Sequence, residues 1–395
     1  MMRCVEKAAF AALLVVAAVP AAAQSVPNPA MTAPDQVAWQ IFIQANTRAD
    51  GSNSTFETWA SDTDLFKPNP QFPAAVSPPV LRRPILPQVV REGVQEAGGL
   101  LPALPPGISQ GVTEETRHNK ATFDFIVQNN LYKISGLKAA FGKSLSFPTD
   151  SVEVKANWVA VNDIPAFTNN AVTVAQVPQL YHVNSAGGVQ YALVSMHVIS
   201  KLVPNWTWAT FEHRFNPGRC DILGCRDNFG AQTPLVPSNR AANQGYPDCV
   251  KTAALNALLS SANIDPVYKN YCLKASQSDF TDNVGLDIRV GNSVTEDGFV
   301  ATSSCMTCHG RAAFDKVGRP SSQAGFLSFG PNGPVAPLGP LLPQWYWQFT
   351  SQPPMFEGKP GLTQTATAAD FVWSIPFCAY DDTTNPVQPS GCAGK

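Results

Sequence analysis

The sequence predicts an α+β protein: a large antiparallel-sheet-containing body with helices, then a C-terminal region of short helix and Pro/Gly-rich loops. Three observations lead there. Apolar and polar residues alternate from Val152 onward, the period of strands. Helix-like apolar spacing occurs on both sides of that stretch. Finally, 35 prolines and only 14% charged residues describe a sizeable core joined by rigid, irregular loops. At roughly 370 residues after loss of a leader, a prior of ~150 residues per domain gives one large or two ordinary domains.

Residues 1–23 have the form of a secretory signal. Arg3 and Lys7 stand against Glu6, an apolar run follows from Ala8 to Val19, and Ala21 and Ala23 precede Gln24 as an A-x-A cleavage site. The run is too short to span a bilayer, and Cys4 lies before it, which disfavours a lipoprotein. A periplasmic or secreted chain with no integral membrane segment is expected. Without the leader, 25 basic residues face 28 acidic ones. So mild a balance, with no basic stripe, excludes a nucleic-acid partner.

Residues 24–285 are expected to form the mixed, β-rich body. Asp35 to Ala45 predicts a short helix capped by Asp35. Pro68 to Gly111 is too rich in Pro and Gly for an ordinary connection and predicts a long surface excursion. Ala121 to Ile134 predicts a helix. Val152, Val154, Ala156, Trp158 and Ala160 alternate with Glu153, Lys155, Asn157 and Val159, a half-buried strand. Ala171 to Val177 and Gln179 to Val183 are strand-like. A turn over Asn184 to Gly188 before the apolar run Val189 to Leu202 predicts a hairpin, and Asn205 to Arg214 another strand. Helices return over Cys249 to Ser261 and Pro266 to Leu273. Residues 286–395 predict a helix around Cys305 and coil from Gly318 to Gly361.

Of nine cysteines, Cys4 leaves with the leader and Cys305 and Cys308 belong to a motif treated below. The six others form an even set that an oxidising compartment pairs in one of 15 ways. Short separations favour Cys220–Cys225, Cys249–Cys272 and Cys378–Cys392.

The chemistry lies in Cys305-Met306-Thr307-Cys308-His309, a C-x-x-C-H pattern for covalent haem c attachment. Two thiols three residues apart can add to the two vinyl groups of one porphyrin, and the adjacent histidine then reaches the iron. A dithiol redox centre would want a βαβ context, and a zinc site a second ligand pair. Neither is present in the sequence. One haem c, with His309 as proximal ligand, is therefore expected in a cytochrome c-like C-terminal region. For the distal side, Met355 follows His309 by 46 residues in Pro353-Pro354-Met355-Phe356. His197, facing the same way as Leu193 and Ile199, and His213, after Trp206, Trp208, Phe211 and Glu212, are the alternatives. His118 and His182 lie in looser contexts.

Several blocks carry a resemblance: Val152-Glu153-Val154-Lys155-Ala156-Asn157-Trp158, Met196-His197-Val198-Ile199-Ser200-Lys201, Trp206-Thr207-Trp208-Ala209-Thr210-Phe211-Glu212-His213, Ser303 to His309, and Asp370-Phe371-Val372-Trp373-Ser374-Ile375-Pro376. From about Val152 to the C-terminus the chain resembles a family of large exported monohaem cytochrome c proteins. The resemblance implies haem attachment at Cys305, Cys308 and His309, and no catalytic residues. Two functions remain open. Electron transfer with redox partner proteins needs only an attached haem with an exposed edge, and is favoured. A haem-dependent peroxidase or oxygenase needs an open distal site and an acid–base group, for which Glu212 and His213 are candidates. A haem-anchored module binding a sugar or aromatic ligand has no motif to mark it.

Overall fold

The computed structural model describes residues 28–51, 53–82, 111–217, 223–232, 249–296, 299–321, 328–330, 333–335, 337–349, 361–384 and 392. The expected leader at residues 1–23, Cys220, Met355 and most of the Pro/Gly-rich segment before Gly111 lie outside these residues. Among the described residues no helix is long and apolar enough to cross a membrane.

The alternating stretch does build an antiparallel sheet. Seven strands compose it: β1 (Ala60–Ser61), β2 (Val112–His118), β3 (Val152–Ala160), β4 (Val183–Ala186), β5 (Val189–Ser200), β6 (Thr207–His213) and β7 (Tyr271–Gln277). Their order is β1-β2-β3-β5-β6-β7, every pair antiparallel. β4 pairs with the first residues of β5 through the expected hairpin. Gly187 and Gly188, at φ +56° and +79°, supply the left-handed turn that two-residue hairpins favour.

One face of the sheet is apolar. Val152, Val154, Ala156 and Trp158 of β3 join Leu193, Met196 and Val198 of β5 and Phe211 of β6 there. Helix α1 (Pro34–Asn46) lies against this face, with proline in its first turn and Val37, Ala38, Ile41, Phe42 and Ala45 at helical spacing. Phe42 stacks on Phe211 at 4.2 Å between centroids. Asp35 does not cap the helix. It accepts hydrogen bonds from the Asn228 backbone and the Ser276 hydroxyl, tying α1 to β7.

The opposite face is polar yet buried, so β3 is not half-buried as the alternation suggested. Glu153 and Asn157 are inaccessible because the C-terminal third of the chain covers them. A core shared between the two parts runs from Ile199 and Trp208 of the sheet to Cys305, Met306, Phe371 and Ile375. Two bulges set which side chains reach it. Register shifts between Asn157 and Trp158, so Leu193 faces α1 while His197 and Ile199 face the C-terminal layer. Sequence alternation had put Leu193 and His197 together. A second shift between Thr210 and Phe211 makes Lys274 an extra residue of β7.

Other elements also depart from expectation. The helix at residues 121–134 is two, α2 (Lys120–Gln128) and α3 (Ile134–Ala140), parted at Asn130 with φ +55°. Residues 171–182 hold helical turns at Val174–Gln176 and Val177–Leu180 rather than strands, since Pro178 suits the first turn of a helix, and strand begins only at Val183. Helix α4 (Ala253–Ser261) forms as expected, but residues after Asn270 extend as β7. No apolar alternation marked β2, whose Glu114, Glu115, Arg117 and His118 are all buried by ion pairs. Two expected disulfides are present, Cys249–Cys272 and Cys378–Cys392. Cys225 is also disulfide-bonded.

Candidate functional site

Helix α5 (Cys305–Gly310) carries the C-x-x-C-H residues. Ser304 caps it by accepting the Thr307 N–H, as a serine at that position should. Three further bonds fix the helix. Gln277 of β7 accepts the Met306 N–H at 3.2 Å, the Thr307 hydroxyl donates to the Gly339 carbonyl at 2.7 Å, and the Trp373 indole donates to the Cys308 carbonyl at 3.2 Å. Gly310 packs closely, since a Cβ there would lie 2.4 Å from the end of the Leu341 side chain, which would have to move.

Cys305 and Cys308 are free thiols, whereas Cys225, Cys249, Cys272, Cys378 and Cys392 are all in disulfides. Burial pushes Cys308 up to about 12 and Cys305 well above its ordinary value. Such thiols are poor nucleophiles for disulfide exchange. Nor do they belong to a metal-ligand cluster. Among the described residues the one set close enough to share an ion is Asp62, Cys378 and Cys392, and the disulfide has consumed both of its thiols.

His309 has a defined orientation. Its Nδ1 lies 2.9 Å from the Phe371 carbonyl, which can only accept, so Nδ1 carries the proton. Burial holds the ring well below its usual range, at about 4, so it is neutral and Nε2 keeps its lone pair. Trp208 of β6 braces the ring at 4.6 Å. The accepting carbonyl belongs to an unusual segment, since Asp370 and Phe371 have φ of +47° and +73°. For residues other than glycine this conformation costs about 1–2 kcal/mol each.

Beside His309 opens a cleft with about 650 Å³ of atom-free space counted out to its mouth. One wall consists of Cys308, His309, Trp373 and Phe377, the last two on and beside helix α6 (Ser374–Cys378). The sheet supplies the other wall through Glu114 and Thr116 of β2, Glu153 and Lys155 of β3 and Ile199 of β5, with Arg82 alongside. These charges are internally paired. Lys155 lies 2.9 Å from Glu114, Arg82 lies 3.4 Å from Glu114 and 2.6 Å from Asp62, and Asp62 and Glu153 flank His118 at 2.8 and 3.0 Å.

The remaining sequence candidates fall elsewhere. His197 is on the sheet face toward α5, but its Nε2 meets the Asn292 amide at 2.9 Å, and burial keeps it neutral. Glu296 approaches it at 3.6 Å, and burial raises that carboxyl to about 7. His213 stacks on Tyr181 at 3.5 Å and places Nε2 on the Leu180 carbonyl. Glu212 is held by Lys274 and Ser293. Neither Glu212 nor His213 lines the cleft. Met355 lies outside the described residues. The sequence reading missed Phe371, whose part is played by a backbone carbonyl that no side-chain pattern marks. It also missed the Arg82–Glu114–Lys155 wall.

The donor set fits a covalently held haem. Two thiols outside disulfides and a neutral imidazole share one short helix; Cys308 and His309 line a cleft walled on one side by aromatic rings, while the Cys305 thiol lies behind them and donates to the Val290 carbonyl at 3.3 Å. No protein-family model, curated protein or solved structure matches the chain.

Proposed function

We propose that the protein is an exported c-type cytochrome holding one haem c through Cys305, Cys308 and His309, and that it transfers electrons to and from redox partner proteins. The observation that carries this reading is His309, which lines the cleft with its Nδ1–H committed to the Phe371 carbonyl, leaving Nε2 as the nitrogen available to a ligand. Metal-ligating histidines commonly make this second bond, which fixes the tautomer and ring orientation. Bound haem would supply a one-electron couple. The chain's own part is to anchor it by two thioethers, aim Nε2 at the iron, and exclude water with Trp208, Trp373 and Phe377. Disulfides at Cys249–Cys272 and Cys378–Cys392 support the exported setting, since they persist in oxidising compartments.

The charged wall favours a second reading. No other histidine and no methionine lines the cleft among the described residues, while Lys155, Arg82 and Glu114 do. An open distal side with polar groups suits a haem oxidoreductase. Haem staining after denaturing electrophoresis tests attachment. The stain is expected in the wild type and absent in Cys305→Ala/Cys308→Ala, and a stained double variant overturns the proposal. Carbon monoxide then separates the two uses. A closed carrier resists the gas when reduced, and ready binding by the unmutated protein moves the assignment to the enzyme.

A further inference from the structure

We propose that Lys201 and Asp370 are positioning residues, whose buried ion pair holds the Phe371 carbonyl on His309 Nδ1 and thereby sets the reduction potential. The inference rests on the haem reading. Just after β5, Lys201 donates to Asp370 at 2.6 Å and to the Pro204 carbonyl at 2.7 Å. Both partners of the pair are nearly inaccessible. The other oxygen of Asp370 accepts the Phe147 N–H at 2.8 Å. Asp370 is therefore gripped from two separate parts of the body.

That grip explains the backbone. Asp370 and Phe371 occupy the left-handed region consecutively, a conformation that persists where surrounding contacts over-determine it. Its result is a carbonyl aimed at His309, with the Phe371 and Trp208 rings 5.9 Å apart beside the imidazole. The ion pair, the left-handed residues and the imidazole thus form one continuous chain of contacts from the sheet to the ligand. A hydrogen bond from Nδ1–H makes Nε2 more basic, and a more basic axial ligand favours ferric iron. Releasing Phe371 should therefore raise the potential.

The experiment measures the midpoint potential of the haem-loaded full chain by spectroelectrochemistry, with haem content and melting temperature recorded alongside. Lys201→Met is expected to raise the potential by about 59 mV, a tenfold change in the one-electron equilibrium. Lys201→Arg, which keeps a cation on Asp370, should return most of the shift. If Lys201→Met does not fold, Lys201→Met/Asp370→Asn removes both charges together, keeps an acceptor for Phe147, and should show the same upward shift. A wild-type potential in Lys201→Met, or in Lys201→Met/Asp370→Asn where the single variant does not fold, overturns the inference, whatever happens to the melting temperature. A wild-type chain without covalent haem overturns the haem reading itself, a distinguishable result.

Discussion

His118 is enclosed by two carboxylates, with Nε2 2.8 Å from Asp62 and Nδ1 3.0 Å from Glu153. Both nitrogens must donate, so the ring is an imidazolium. Burial alone would lower its pKa, but Glu153 and Asp62 outweigh burial and lift it to about 9. Asp62 moves the other way. Burial would raise it, yet Arg82 and His118 bring it to about 2. A histidine raised above its unfolded value of ~6.5 stabilises fully below that pH and loses its contribution as pH climbs through 9. Urea unfolding should therefore show stability falling between about pH 6.5 and 9, by on the order of 3 kcal/mol. His118→Gln should flatten that slope, and an unchanged slope would refute the imidazolium. Asp62 contributes at the opposite end, where stability is lost as pH drops below its ordinary range toward 2. Nothing near His118 in the sequence signals this, because its partners come from positions 62 and 153.

Among the elements, β7 shows how covalent and non-covalent ties combine. Cys272 on this strand is bonded to Cys249 across 23 residues, closing the segment that contains α4. Loop-closure entropy for such a span is worth about 3 kcal/mol. The Cys249→Ser/Cys272→Ser protein should unfold at lower denaturant by that amount, with its sheet circular dichroism retained in water. Full stability in the double variant would show the bridge to be dispensable. The same strand marks the limit of reading elements from sequence. The helix expected over residues 266–273 forms only as a 3-10 turn at Pro266–Asn270, and pairing with β6 makes Tyr271 to Leu273 strand. By contrast, α1 and β3 were legible because each has a wide apolar face with a regular period. β2 was not, since four of its residues are charged or ionisable and only their buried partners make them strand residues.

At the scale of the whole molecule, the cysteines divide by chemistry. Chain produced without haem attachment should expose two reactive thiols after unreduced denaturation, Cys305 and Cys308, and haem-bearing chain none. Four thiols in the first sample would show Cys220–Cys225 unpaired. The sequence by itself determined the C-x-x-C-H helix, the antiparallel sheet and two of the staples, because all three depend on spacing within short segments. Tertiary structure decided what those segments meet. The blocks at Val152 to Trp158, Met196 to Lys201, Trp206 to His213 and Asp370 to Pro376 are distant along the chain, yet Lys155, Trp208 and Phe371 meet at the His309 end of α5, with Lys201 one step behind them on Asp370. Two bulges chose which strand residues face it, and a backbone carbonyl fixed the histidine tautomer. Register shifts and carbonyl directions arise from the pairing of whole strands and from buried ion pairs, so only the folded chain specifies them.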